Sequence, residues 1–403
     1  MPLTAFDPPR EASPPAPPRP QGLPIAAAGI AAAAANTTML GLPAVLPYLM
    51  EGFHLTHGQG GLLISALWIP HAVAQAFSGW GAAALGVQRL LRWTLLGMAA
   101  VVAASLAAPS YRALLGLRML VGVGTGAVFL LGTLYAAAHS DPALHRRHQA
   151  VVGSIGYLSS TAAYVIIPWG LAAAGWRAGY FPGLLCTLAA LVLACLGPGV
   201  PARPEPERAA LALRVAVGVV WRGRIPVLAL AHLCSFGFFM VVGSWLTAYF
   251  VEQHGLDPVA SLLVSAGVLA AGAVGRFAGG AALGRIADRR LVMTALAVSG
   301  VGLGLLALSP PFPLTPVLAF AVLLCCTMTY GSIFAMAFGR RPPNEAGVAI
   351  AGVSLVAGVG AAILPALMGW MVDATGSFGP GFALLAGLSG LTTILLGILP
   401  PRG

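Results

Sequence analysis

Twelve long runs that are apolar and almost free of charge constrain the fold of this chain more than any other feature. A helix needs about 20 mostly apolar residues to cross the hydrocarbon core of a membrane. The runs occupy residues 22–50, 59–86, 90–108, 112–138, 150–174, 178–198, 225–251, 258–284, 291–309, 314–338, 346–371 and 379–399. We number them as predicted spans 1 to 12.

Composition agrees with membrane insertion. Charged residues make up 8% of the 403 residues and hydrophobic residues 58%, whereas soluble proteins carry roughly 25% charged residues. So few charges cannot cover a water-soluble surface. We therefore expect an all-α membrane protein that lies in a lipid bilayer. The net charge of +10 is spread over short connections, so we expect no nucleic-acid partner.

The arginines in the connections predict the orientation of the chain. Basic residues collect in loops on the cytoplasmic side of a membrane. Counting from a cytoplasmic N-terminus, the inner connections hold Arg89, Arg92, Arg146, Arg147, Arg203, Arg208, Arg214, Arg222, Arg224, Arg285, Arg289, Arg290, Arg340 and Arg341. The outer connections hold only Arg112 and Arg177, together with four acids at helix ends, Glu51, Glu252, Asp257 and Asp373. We expect both termini in the cytoplasm and the protein in a bacterial inner membrane.

The longest interruption of the apolar pattern divides the chain into two halves. We predict a Pro-rich tail at 1–21, six spans within 22–198, a linker at 199–224 and six spans within 225–403. A weak internal repeat supports this division, because "AAALGVQRLLRWTLL" at 82–96 aligns with "GAALGRIADRRLVMT" at 280–294. Both stretches end the second span of a half, as expected for parallel repeats.

Several short motifs resemble those of the major facilitator superfamily. "GRIADRR" holds Gly284, Asp288 and Arg289 in the pattern Gly-x-x-x-Asp-Arg that follows the second helix of each half. The N-terminal copy keeps Gly86 and Arg89 but has no Asp. "RMLVGVGTG", which begins at Arg118, matches the fourth-span pattern, and "GWR" and "GWMVDATGSF" are also typical of the superfamily.

This resemblance implies a fold and a mode of action. Members have twelve transmembrane helices in two six-helix bundles, which rock about a central site to expose it to alternate sides. The resemblance implies a monomeric secondary transporter, not an enzyme, without a cofactor.

The sequence shows no nucleophile constellation or nucleotide-binding fingerprint. His145 and His148 stand at helical spacing, but a basic loop explains them better than a metal site does.

Ionisable residues inside the spans are costly, so each one is a candidate functional residue. The sequence places Arg118, Arg276, His71 and His232 there, and no Asp or Glu well inside a span. Many proton-driven members and drug exporters of the superfamily carry a buried carboxylate. A central site with cationic groups and no carboxylate favours an anionic solute.

Arg276 is the first candidate for contact with that anion. It lies nine residues before Arg285, or roughly 14 Å along a helix and near the middle of the membrane. Its planar group of donors suits a carboxylate or oxyanion. An eighth-span Arg resembles the substrate arginine of nitrate, oxalate and monocarboxylate porters, and one Arg suits a monoanion. The alternative is that Arg276 braces the fold.

Polar residues of the central spans complete the predicted substrate site. His71 lies near the centre of span 2 with Gln75 one turn later; histidine can bind an anion or relay a proton. The other candidates are Asn36, Tyr157, Tyr164 and Tyr330, followed by Thr37, Trp245, Tyr249 and Ser354. Gating or coupling is expected of Arg118, His232, Asp288 and Arg289, the last two in a solvated loop. Packing is the alternative for each of these residues.

Together these features predict a secondary transporter of a small organic or inorganic anion, specifically a monocarboxylate-like solute. Proton symport is one possible coupling, with a histidine or the solute carrying the proton. Two alternatives remain open. The chain is an exporter of amphipathic, drug-like compounds, or it is a sensor that binds a solute without moving it.

Overall fold

The computed structural model describes residues 22–141, 143–200, 223–339 and 343–399. The predicted tail at 1–21 and most of the predicted linker at 199–224 lie outside the described residues. All the regular structure in the described ranges is helical. Eleven stretches are long and apolar enough to cross a membrane, and one of them, Arg147–Leu196, contains two helices joined by the short turn Gly175–Tyr180. The described residues thus hold the twelve predicted spans.

The helices follow the predicted order with small shifts at their ends. In spans 1 to 6 they are Gly22–Ala44 with Leu46–Phe53, His57–Ser65 with Trp68–Leu85, Val87–Leu106, Tyr111–His139, His145–Ala174 and Phe181–Leu196. In spans 7 to 12 they are Ile225–His232 with Phe238–His254, Pro258–Leu269 with Ala271–Ala282, Asp288–Ala307, Leu314–Met328 with Tyr330–Phe338, Pro343–Thr375 and Gly379–Ile398.

Four central spans are interrupted near their middles. Span 2 breaks between Ser65 and Trp68, span 8 at Ala270 and span 10 at Thr329. Span 7 contains a π-helical turn at Leu233–Gly237, directly after His232. Such turns are frequent at functional sites. The breaks lie beside three of the predicted site residues, His71, Arg276 and Tyr330.

Spans 1 to 6 form an N-terminal bundle and spans 7 to 12 form a C-terminal bundle. Within the first, span 1 packs along spans 4, 5 and 6, and span 2 packs on span 4. Within the second, span 9 packs on spans 10 and 12, and span 8 on span 10. The bundles meet mainly where span 2 faces span 11 and where span 5 faces span 8. A central site therefore lies between these two pairs of helices.

Small residues allow the helices to approach closely, as in many membrane proteins. The backbone of Gly41 in span 1 lies directly against that of Gly179, so neither residue has room for a side chain. Between the bundles, Gly61 in span 2 lies against the backbone of Pro365 and Ala366, and Gly369 in span 11 lies against His57.

Contacts between the bundles are tight at one end of the molecule. We call the end that carries Arg89, Arg285 and Arg290 the arginine-rich end. The close approaches of Gly61 and Gly369 lie toward the opposite end, near His57. Ser65 there accepts a hydrogen bond from the backbone N–H of Ala366, at 3.2 Å. The bundles are closed against each other at the end opposite the arginine-rich end.

We expect Gly41→Val to destabilise the N-terminal bundle. A side chain at this position must push span 1 away from Gly179, and overpacking of this kind costs about 1–3 kcal/mol or more. The matched control is Gly116→Val in span 4, where the glycine is exposed and has nothing within 4 Å of an added side chain. Thermal unfolding of the purified proteins is the measurement. Equal melting temperatures for the two variants would contradict the packing described here.

Candidate functional site

Glycines in span 8 bring Arg276 to the boundary between the bundles. Gly275 and Gly279, on either side of it in the chain, lie against Thr327 and Met328 of span 10 and hold the two helices together. One turn before Arg276, a side chain at Gly272 would come within 2.8 Å of both Tyr157 and Phe239. The absence of that side chain makes room for Tyr157 of span 5 to reach across from the N-terminal bundle.

Two tyrosines hold the guanidinium of Arg276. Its Cζ lies 3.5 Å from the centre of the Tyr330 ring and 4.9 Å from the centre of the Tyr157 ring. Its Nη2 donates a hydrogen bond to the Tyr157 hydroxyl at 3.1 Å. The buried Nε has no hydrogen-bond partner within the described part of the chain. The described residues also provide no carboxylate in an ion pair with Arg276.

His232 lies on the other side of Tyr330. It is 3% exposed, and its ring centre is 5.4 Å from that of Tyr330 and 4.9 Å from that of Phe334. Its Nδ1 is buried without a partner among the described residues. Arg276 and His232 thus each bury an unsatisfied nitrogen next to the same tyrosine. Buried polar atoms are normally paired, so two unpaired atoms at one place call for an explanation.

His71 approaches the same region from span 2. Its Nδ1 lies 3.1 Å from the hydroxyl of Thr125, which can also donate to the carbonyl of Gly122. In either direction this contact occupies Nδ1, and Nε2 remains for another group. His71 packs on Trp68, with ring centres 5.4 Å apart.

These residues form one continuous group, which we call the central cluster: His71, Trp68, Phe236, His232, Tyr330, Arg276 and Tyr157. Trp68 contacts Phe236 across the bundle boundary at 5.5 Å, and Phe236 stacks on His232 at 5.9 Å. Arg276 to Tyr157 is the second crossing. The structure thus brings four predicted site residues, His71, Tyr157, Arg276 and Tyr330, together with His232.

The other predicted substrate residues take different places. Asn36 donates to the carbonyl of Ala32 and lies against Gly156, next to Tyr157. Gln75 is half-buried one turn beyond His71. Tyr164 is fully buried against span 7, with its hydroxyl 3.5 Å from the carbonyl of Gly243.

The residues of the wider candidate list lie outside the central cluster. Trp245 donates to the carbonyl of Pro365 and stacks near His57, and Tyr249 packs on Phe378 and Phe382. Both residues therefore lie toward the end opposite the arginine-rich end, away from Arg276. Thr37 bonds to its own helix, and Ser354 is half-buried in span 11.

Arg118 is the second arginine inside the spans, and its surroundings differ from those of Arg276. It is 1% exposed and donates to three backbone carbonyls, those of Leu63, Thr38 and Met39. These carbonyls belong to spans 1 and 2, near the break in span 2 and near Pro43 in span 1. Arg118 joins three helices of one bundle, and its donors are directed at backbone carbonyls.

Asp288 and Arg289 were predicted to lie in a solvated loop, and that prediction was wrong. The helix of span 9 begins at Asp288, where a carboxylate in the first turn is favoured by the helix dipole. Asp288 accepts a hydrogen bond from Ser332 at 2.8 Å, and Arg289 donates to the carbonyl of Gly397 at 2.6 Å. Both residues tie span 9 to other spans of the C-terminal bundle.

Sequence reasoning missed the aromatic residues that connect the cluster. Trp68 precedes His71 by three residues and Phe236 follows His232 by four, which are the spacings of neighbours on one helical face. That signal was present in the sequence.

No group of three or more His, Cys, Asp or Glu side chains is close enough to hold a metal ion within the described ranges.

A family model described as "Major Facilitator Superfamily" matches residues 26–340. The chain belongs to this superfamily. It is therefore a membrane transporter with the twelve-helix fold and not an enzyme.

Curated relatives include anion porters. The chain is 26% identical over 276 residues to "Nitrite extrusion protein" of Bacillus subtilis (strain 168), covering 66% of each chain. It is also 26% identical over 371 residues to "Probable sulfoacetate transporter SauU" of Cupriavidus necator, covering 86% of each. A third relative, "Probable nitrate/nitrite transporter NarK2" of Mycobacterium tuberculosis, is 26% identical over 304 residues, 72% of this chain and 73% of that protein.

Solved structures share the fold at low identity. A point mutant of the nucleoside transporter NupG superposes with a TM-score of 0.78 at 13% identity, covering 94% of this chain and 100% of that chain. The xylose transporter XylE from E. coli superposes with a TM-score of 0.76 at 12% identity, covering 94% and 96%.

We expect Gly272→Val to displace Tyr157 and to destabilise the protein by about 1–3 kcal/mol, because the added side chain overlaps the ring. In a Tyr157→Ala background the same change should cost less, since only the overlap with Phe239 remains. Gly267→Val is the control on the same span, at an exposed glycine with free space around it. Thermal unfolding of each protein is the measurement. An equal penalty in both backgrounds would show that Tyr157 does not lie against Gly272.

Proposed function

We propose that this protein transports a small monovalent anion, monocarboxylate-like in size and charge, and that the anion binds Arg276. The observation that carries the proposal is the guanidinium of Arg276, which is held by tyrosines from both bundles and keeps an unpaired donor. Burying a charge costs several kcal/mol unless it is paired. Cation–π contacts return about 2 kcal/mol each when desolvated. An anionic solute supplies the missing partner.

The position of Arg276 supports transport between two states of the protein. Tyr157 belongs to the N-terminal bundle, and Arg276 and Tyr330 belong to the C-terminal bundle. Rocking of the bundles changes the distance between Tyr157 and Arg276, so the same movement that opens one side also alters the anion site. Contacts at the end near His57 close that side in the present state, which fits alternating access by a rocker-switch.

The relatives support an anion as the solute class. The names of these relatives specify nitrite, nitrate and sulfoacetate. Nitrate and nitrite are planar monoanions, as is a simple carboxylate group, and each matches the planar donor array of an arginine. Sulfoacetate carries two acidic groups and requires a second donor. His232 and His71 are the residues of the central cluster that can supply one.

Arg276→Ala is the direct test of this proposal. We expect uptake of the transported anion into proteoliposomes to fall by at least about 100-fold, because removing one partner of a buried charge pair costs about 3–5 kcal/mol. Arg276→Lys should retain part of the activity, since it keeps the charge but loses the bidentate geometry. Nitrate, nitrite, a short carboxylate and sulfoacetate are the solutes to compare.

Thermal unfolding of both variants controls for misfolding. Undiminished uptake by a folded Arg276→Ala protein would contradict the anion site. Transport of hydrophobic drugs that does not respond to Arg276→Ala would favour the exporter alternative. Binding of an anion without counterflow exchange would favour the sensor alternative.

A further inference from the structure

His57 begins span 2 and lies where the two bundles touch, far from the central cluster. Thr56 and Gln59 cap the start of this helix through a reciprocal pair of hydrogen bonds. The backbone N–H groups of His57 and Gly58 both donate to Asp373 of span 11, each at 2.8 Å. A carboxylate is stabilised at a helix N-terminus by the unpaired N–H groups and the helix dipole. Asp373 therefore completes the cap of a helix in the other bundle.

The side chain of His57 contacts two carboxylates of the C-terminal bundle. Its Nδ1 lies 3.0 Å from Oδ1 of Asp373, and its Nε2 lies 2.8 Å from Oε2 of Glu252 at the end of span 7. We call these three residues the His57 cluster. Trp245 and Phe378 pack on the imidazole, with ring centres 6.2 and 6.3 Å away.

The His57 cluster needs two protons for its two short contacts between imidazole and carboxylates. A neutral histidine with two ionised carboxylates provides only one. Neutral imidazole has one N–H, and an ionised carboxylate is an acceptor only. Both ring nitrogens lie within hydrogen-bond distance of carboxylate oxygens, so satisfying both contacts needs an imidazolium or one protonated carboxyl. In either form, the cluster holds an additional proton. Each of the three side chains is about a quarter to a third exposed, at 24%, 35% and 30%, so water on that side supplies it.

We propose that the His57 cluster is a proton-binding site that exists only while the bundles are closed at this end, so that acid on this side of the membrane holds the transporter shut there. Opening this end moves span 2 away from spans 7 and 11. His57 then loses both carboxylates, and its proton affinity returns to that of a free histidine, with a pKa of about 6.5. The proton is bound from this side and released to the same side. The site therefore regulates opening and does not carry protons across the membrane.

The sign of the pH effect follows from linkage. Above the pKa of a free histidine, about 6.5, the closed state holds a proton that the open state has lost, so the closed state loses stability as pH rises. Below that pH His57 is protonated in both states, and the stability gained by the closed state is at its maximum. The other titratable residues in helix ends and connections at this end are Tyr48, Glu51, His54, Tyr111, Arg112, Arg177, Tyr180, His254 and Asp257. Within the described residues none of them forms an ion pair or hydrogen bond with His57.

The proposal rests on the alternating-access part of the proposed function and not on the identity of the solute.

Distance measurements between the bundles test the proposal without any solute. Nitroxide labels are attached to Arg112→Cys in span 4 and Gln253→Cys in span 7, two exposed positions in different bundles. The five native cysteines are first replaced by alanine. Double electron–electron resonance in lipid nanodiscs at several pH values between about 5.5 and 8 gives the ratio of open to closed populations. We expect this ratio to be constant below about pH 6.5 and to rise above it, by up to about tenfold per pH unit, the limit for one proton.

Variants at His57 identify the proton site. His57→Gln should make the ratio independent of pH, and His57→Lys should keep this end closed across the range, because its charge persists. His54→Asn is the matched control: it removes a neighbouring exposed histidine, at a position with φ of 51° that asparagine tolerates, and should keep the wild-type pH dependence. Should His57→Gln fail to fold, Glu252→Gln should shift the midpoint to lower pH.

A ratio that does not change with pH in the wild-type protein would overturn the proposal. So would an unchanged pH dependence in His57→Gln, or an unchanged midpoint in Glu252→Gln. Because no solute is present, these outcomes are independent of whether Arg276 binds an anion, which the uptake experiments decide separately.

Discussion

The guanidinium of Arg276 is held against the rings of two tyrosines and is not paired with a carboxylate among the described residues. The organisation of the central region depends on this arrangement. A guanidinium is a weakly hydrated, planar cation that stacks on aromatic rings. Stacking fixes its orientation without neutralising its charge. Glycines at 272, 275 and 279 place it at the bundle boundary. The result is an oriented cation with an unpaired donor at the place where the halves of the transporter meet.

The two arginines inside the spans show how surroundings assign different tasks to one residue type. Arg118 directs its donors at carbonyls of spans 1 and 2 in its own bundle. Those contacts do not change when rigid bundles rock, so the role that fits them is bracing the N-terminal bundle. Arg276 contacts residues of both bundles, so under the proposed alternating access its surroundings change as the bundles rock. This difference favours Arg276 over Arg118 as the partner of the solute.

Much of the fold was predictable from sequence, because a chain inserted in a membrane has few alternatives to apolar helices that span the bilayer. Twelve apolar runs predicted twelve spans, and the motif around Gly284 predicted the superfamily. Within the site, the scarcity of charges directed attention to Arg276, His71 and His232. The tyrosines at 157 and 330 were named as candidates, but their stacking on Arg276 depends on helix breaks and glycine contacts that no local pattern specifies.

Contacts between distant parts of the chain explain what sequence reasoning missed. Asp373 was read as an ordinary residue at a helix end, yet it caps a helix that begins 316 residues earlier. His57 was not singled out, because a histidine next to a loop carries no local signal. Asp288 and Arg289 were assigned to a loop, because the start of a charged helix looks like a connection. In each case the deciding partner comes from another span.

The central claim is that Arg276 recognises a negative charge in the solute, and the most direct measurement compares charged and neutral ligands of the same shape. Isothermal titration of the purified protein with short carboxylates and with the corresponding primary amides separates charge from size. The account predicts binding of a carboxylate with one site per protein and at least about 100-fold weaker binding of its amide. Equal affinities for the acid and the amide would contradict it.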